Sequence, residues 1–217
     1  MSISISEQGR LSRSLQNQPR FLRISYFVTP FFDNPELRLL SPTHPSWLHL
    51  LEHTDGSPVS PGEVETLLPA GTPVRILNVE FPSTWAKRQR ALYSPRSQPW
   101  VYVSIPSLPQ PLVLVLRNTL RNADAFEAEL GRYLTPIHPM QMTEFSVDEQ
   151  TAVRSKEALI GISAAALEMA LGYPENKTFT FEGEQKIETW YWSNGKKKVE
   201  LRGGKVSSLP MASSPSP

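Results

Sequence analysis

The sequence of 217 residues contains no cysteine. This excludes disulfides, thiolate metal sites, a cysteine nucleophile and, for the chain as it stands, lipid attachment through a cysteine. There is no excess of either charge: 22 basic and 21 acidic residues leave a formal net charge of +1. No global field therefore gathers nucleic acid or an anionic membrane. No apolar run is long enough to cross a bilayer, and the polar opening MSISISEQGRLSRSLQNQPR lacks the apolar segment of a secretory signal. A G-x-S-x-G elbow, a phosphate loop, a dinucleotide fingerprint and a paired-carboxylate motif are also missing. The glycines beside basic residues in GRYL and RGGK neither follow a strand nor open a helix, as a phosphate site requires. The expectation is a non-enzymatic protein with no cofactor and no resident metal.

Proline is abundant, with 21 residues, about twice the usual share of roughly 5%. Each proline removes an amide donor and fixes φ, so long helices are few. The pattern predicts an α+β chain in two folded parts, with residues 1–19 a disordered arm carrying Arg10 and Arg13. Residues 20–135 read as a β-rich domain with one helix. Its strands come from RFLRISYFVTP, LLPAGTPVRILNVEF, PWVYVSIP and LVLVLRN, and its helix from NADAFEAELGRYL behind the Asn122 cap. The proline-broken stretch 31–62 reads as a mostly irregular loop with at most one helical turn. Trp85 and Trp100 read as core and turn residues of this unit. Residues 136–144, TPIHPMQM and its flank, form a linker.

Residues 145–209 are more regular. Ser146 with Glu149 three residues on is a capping box for a helix reaching Gly161, and Ser163 caps a second helix. The second helix is stopped by Gly172, expected in the left-handed αL region, and by Pro174. Four short strands follow at 178–181, 188–192, 197–201 and 205–209, joined by SNG and RGG turns. Two short helices cannot bury enough apolar surface alone, so they must cover one face of this meander. Residues 210–217 read as a disordered tail.

Two family resemblances rest on these segments. GISAAALEMALGYP followed by TWYWSNGKKKVELRGGKVSSL resembles the small outer-membrane lipoproteins of the SmpA/OmlA type, which include an accessory subunit of the β-barrel assembly machinery. Gly161, Ile162 and Ser163 match the helix start; Leu171, Gly172 and Pro174 match the stop. Trp190 and Tyr191 lie in the aromatic strand, and Gly204, Lys205 and Val206 match the closing strand. LPAGTPVRIL followed by PWVYVSI resembles bacterial SH3-like domains, in which a glycine turn leads into one strand and a tryptophan strand closes a small barrel. The first resemblance implies a helix-helix-meander fold and a cell-envelope protein at the periplasmic face of the outer membrane that works as a scaffold or assembly subunit. Its members carry a lipidated cysteine behind a signal peptide. This sequence shows neither, and has a β-rich unit that the smallest members lack.

The chemistry-bearing residues give one contact site and one alternative. Trp190, Tyr191 and Trp192 are consecutive, so in a strand Tyr191 points away from both tryptophans and one face needs a cover or a partner. Lys196, Lys197 and Lys198 at the adjoining turn are candidates for docking an acidic protein. A protein partner is therefore expected, through Trp190, Tyr191, Trp192, Lys196, Lys197 and Lys198. The alternatives are a cytoplasmic or secretion-associated SH3-like unit that captures a peptide, and a metal-dependent enzyme around His49 and His53. On a helix those two imidazoles would share a face, with His44 or Asp55 as third ligand.

Overall fold

A computed structural model describes residues 3–141, 144–192, 195 and 197–209. It is an α+β protein of two compact units, Met1–Thr143 and Glu144–Pro217. The N-terminal unit runs α1 (Ile5–Leu15), β1 (Pro19–Leu22), β2 (Tyr26–Phe31), β3 (Asn34–Ser41), β4 (Thr66–Leu68) and β5 (Pro73–Glu80). It continues with α2 (Thr84–Gln89), β6 (Trp100–Ile105), β7 (Leu108–Val115), α3 (Ala123–Gly131) and β8 (Leu134–Thr135). The C-terminal unit runs α4 (Val147–Ser155), α5 (Ala164–Leu171), β9 (Asn176–Glu182), β10 (Gln185–Trp192), β11 (Lys197–Arg202) and β12 (Lys205–Ser208).

The strands of the first unit form one sheet in the order β4-β2-β3-β7-β6-β5-β1-β8. All pairings are antiparallel except β3 with β7. β1 and β2 are two halves of one bent ribbon, as are β4 and β5. The ribbons stay bonded through the bend, where Leu22 N–H reaches the Thr72 carbonyl at 2.9 Å and Gly71 N–H reaches the Leu22 carbonyl at 2.7 Å. The sheet therefore curls until β2 and β1 close it on both sides. Gly71 is required at this corner: its φ is +88°, and a Cβ there would lie 2.5 Å from His138 Nε2. Leu22, Tyr26, Val28, Ile76, Val101, Val103, Leu112 and Leu114 are buried, with Phe126 and Leu130 of α3. Val74, Ile76, Val79 and Phe81 are all buried because a bulge between Ile76 and Asn78 resets the alternation.

Four expectations for this unit change. The segment read as a disordered arm is α1, whose Ser4–Glu7 capping box starts it. Leu11 and Leu15 are buried, and Ser12 Oγ donates to the Val79 carbonyl at 2.7 Å. The irregular stretch contains β3: Pro35 lies before the Arg38 and Leu39 positions that pair with β7, so no ladder bond needs its missing amide. The stretch read as linker is anchored to the unit at 138–140, with Pro139 buried and the His138 ring 5.2 Å from that of Phe21. Trp100 is buried, but Trp85 lies on α2, a helix absent from the sequence reading, and is 70% exposed.

In the C-terminal unit the sheet order is β12-β11-β10-β9, antiparallel throughout. Both helix caps form as expected. α4 ends at Ser155 rather than Gly161, because Lys156 takes the left-handed conformation with φ 58° and ψ 42°. Gly172 ends α5 at φ 82° and ψ 179°, outside the αL region and in one that essentially only glycine occupies. Its carbonyl accepts from Trp192 Nε1 at 3.0 Å, tying the helix end to the sheet. Gly203 and Gly204, at φ 56° and 75°, make the turn into β12. Ser193 and Asn194 of the SNG turn and the tail 210–217 lie outside the described residues.

Candidate contact surfaces

Cross-strand partners share a face of a sheet, and the register therefore sorts the aromatic residues of the C-terminal unit. Trp190 pairs with Val199 and Lys177, Glu188 with Leu201 and Phe179, Leu201 with Val206, and Lys186 with Phe181. This face carries the helices: Trp192 bonds to the end of α5, and Lys177 pairs with Glu168 of α5 at 3.0 Å. Trp190 and Trp192 are buried there, with Lys177 Nζ 3.6 Å above the Trp190 ring. Burial removes both tryptophans from the expected contact set. Tyr191 lies on the opposite face, half-buried, opposite Lys198 and within 3.5 Å of Thr178 Oγ1.

The helix-bearing face continues beyond the helices. Phe179 and Phe181 are 64% and 65% exposed on β9, edge to face at 6.1 Å, in a strand whose seven residues are all exposed. Among the described residues β9 pairs only with β10, so its outer edge is open. The sequence reading missed these two residues, although the alternation in TFTF signals a strand with phenylalanine on one side.

The lysine cluster separates. Lys198 is exposed and paired with Glu200 at 2.9 Å. Lys197 is half-buried and its pKa is lowered by burial. Lys196 lies outside the described residues. Behind them, buried Lys156 donates from Nζ to the Ala170 carbonyl at 3.3 Å, and burial, then the charge of Lys197, push its pKa down to about 7. Glu149 joins the two helix starts by accepting from Ser146 N–H at 2.8 Å and Ser163 N–H at 2.9 Å. Burial works against its charge, but the hydrogen bonds of Ser163 and Ser146 hold its pKa down at about 2.

The histidine alternative loses its geometry. Residues 48–53 form no helix: a turn at 49–50 and a bend lead into an isolated bridge of Glu52 with Pro58. His49 Nδ1 is bound to Glu52 at 2.8 Å, His44 caps the turn at Ser46, and Asp55 accepts from Ser57. No group of three or more potential metal ligands forms among the described residues.

The first unit has an apolar cluster of Phe31, Leu39, Leu48, Trp100 and Val113, rimmed by partly buried Phe32, Leu37, Leu50 and Tyr102. Arg90 lies over Trp100, its guanidinium carbon 3.8 Å from the ring centroid, and pairs with Glu80 at 2.6 Å. Burial, then the charge of Glu80, push the Tyr102 hydroxyl up to about 12. Compared with known proteins, the chain matches no family model, no curated protein and no solved structure.

Proposed function

We propose that the chain is a non-enzymatic protein of the bacterial cell envelope that works by contact with another protein, as a scaffold or assembly subunit. The observation that carries the contact reading is β9. An open strand edge with two exposed phenylalanines on the face continuous with the helix-covered core offers both main-chain hydrogen bonds and apolar side chains to an extended segment. Edge strands are ordinarily blunted by charge or proline, yet here the charges, Lys177 and Glu182, stand only near the ends of the strand. The envelope assignment draws on the SmpA/OmlA resemblance of residues 145–209. The experiment is affinity purification of the full chain beside Phe179→Ser/Phe181→Ser and Tyr191→Ala, with folding checked by thermal unfolding, and fractionation of the producing cell. A partner held by the wild type and lost by the β9 variant supports the reading. Equal retention by all three proteins, or a purely cytosolic distribution, refutes it.

A second reading, peptide capture by the SH3-like unit, is favoured by the partly buried Phe32, Leu37, Leu50 and Tyr102 around Trp100. The Gly71 turn leads into β5, and the Trp100 strand lies beside it. Retention of the partner by the β9 variant with loss on Phe32→Ala distinguishes this reading from the first.

A further inference from the structure

Between Glu80 and Asp124 the sequence contains no acidic residue. Its first part, residues 81–99, is the loop from β5 to β6, which holds α2. An internal staple fixes which side chains of this loop face inward. The Arg90 side chain, 3% exposed, donates from Nε to Glu80 Oε1 at 2.7 Å and from Nη1 to the Arg96 and Gln98 carbonyls at 2.9 Å and 2.7 Å. Trp100 Nε1 donates to the Pro95 carbonyl at 3.0 Å. Phe81, Ala86, Arg90, Ser94 and Trp100 are consequently buried.

What remains outside is sharply biased. Trp85, Leu92 and Tyr93 are 70%, 66% and 64% exposed, and the cations between and after them, Lys87, Arg88 and Arg96, are exposed as well. None of these three cations has a carboxylate partner among the described residues. Exposed Lys177 and Lys198 are paired with Glu168 and Glu200; what sets the loop apart is that its unpaired cations stand among exposed apolar side chains with no acidic residue in the segment. The net charge of +1 thus conceals a local positive surface studded with apolar groups.

We infer that this loop docks the N-terminal unit on an anionic lipid bilayer surface. Tryptophan and tyrosine settle at the boundary between headgroups and acyl chains, leucine enters the acyl region, and lysine and arginine stems lie along apolar surface while their charges meet anionic headgroups. One flat surface that supplies both dense negative charge and an apolar interior matches these three apolar and three cationic side chains, and the other exposed residues of the loop, Ser83, Thr84, Gln89 and Ser97, add no charge against it. An acidic protein surface matches only the cations. The staple keeps the aromatic residues outside instead of letting them collapse onto the sheet, so the loop is organised before it meets the bilayer. This inference is independent of the β9 reading and uses none of its residues.

The test is cosedimentation of the full chain with vesicles of phosphatidylcholine alone and of phosphatidylcholine mixed with phosphatidylglycerol, at low and at physiological salt. Binding is expected to the mixed vesicles only, weakening as salt screens the charges. Lys87→Gln/Arg88→Gln should weaken it roughly 25-fold, at about fivefold per cation, and Trp85→Ala about tenfold. Lipids brominated in the acyl chain should quench tryptophan fluorescence in the wild type and not in Trp85→Phe. All substituted positions are exposed, so unfolding temperatures should stay at the wild-type value and separate lost docking from lost folding. No binding to the mixed vesicles overturns the inference, as does binding that the charge variant leaves unchanged. Quenching that survives Trp85→Phe places insertion elsewhere and overturns it too. Binding to polyglutamate but not to mixed vesicles assigns the loop to an acidic protein instead.

Discussion

Replacing Lys156 with methionine isolates a large ionisation effect in the C-terminal unit. The lysine is buried at the end of α4, and its pKa falls from 10.5 to about 7 on folding. Between those values the unfolded chain carries a proton on this side chain that the folded unit rejects. Protonation therefore penalises folding, and the penalty shrinks as pH rises. Below pH 7 both states carry the proton and the penalty is constant; above 10.5 neither does and it vanishes. The slope approaches about 1.4 kcal/mol per pH unit, so the wild type should gain about 2 kcal/mol between pH 7 and pH 9. Lys156→Met has no proton to exchange and a side chain of similar length. It should remove that slope and, near pH 7, stabilise the unit by about 1–4 kcal/mol, as apolar replacement of a buried charge often does. Urea unfolding followed through the Ala152 and Ala166 methyl resonances, which report α4 and α5 alone, measures both effects. Parallel pH profiles for the two proteins would refute the account, because they would mean that Lys156 keeps an ordinary pKa in the folded state.

Three further outcomes follow from the same unit. Gly172→Val forces a β-branched residue into φ 82° and ψ 179° and should cost at least about 1–3 kcal/mol in urea unfolding; an unchanged midpoint would place no strain there. Glu149 has its pKa lowered from 4.5 to about 2, so its contribution is fully present above pH 4.5 and is lost as pH falls toward 2. Glu149→Gln should therefore flatten acid unfolding in that window, and an unchanged acid limb would count against the double cap. Trp192→Ala opens a cavity and orphans the Gly172 carbonyl, with an expected loss of about 3–5 kcal/mol, whereas half-buried Tyr191→Ala should lose well under half of that; equal losses would contradict the face assignment.

Local signals were enough for much of this protein. Serine caps with glutamate three residues on, glycine at the turns and period-two runs of Val, Ile and aromatics specify the helix starts and most strands, because these depend on groups only a few residues apart. The helix-helix-meander order at 145–209 was legible for that reason, as was the opposed direction of Tyr191 and its neighbouring tryptophans. What local signals leave open is the state of a segment whose partners are distant. Residues 1–19 look too polar to fold, yet α1 forms because Leu11, Leu15 and Ser12 find β5 some 67 positions along the chain. β3 looks broken by proline until β2 and β7 supply its hydrogen bonds. Burial is decided at the same level. The alternation placed Trp190 and Trp192 on one face, but only the docking of α5 made that face the core. The same helices stop short of Phe179 and Phe181 and leave them outside. Trp85 and Trp100 are alike as letters; the Arg90 staple, which needs Glu80 at one end of the loop and the Gln98 carbonyl at the other, closes over Trp100 and leaves Trp85 in solvent. Spacing along the chain dictates which side chains share a face, and the contacts of the folded chain dictate which of those faces water can reach.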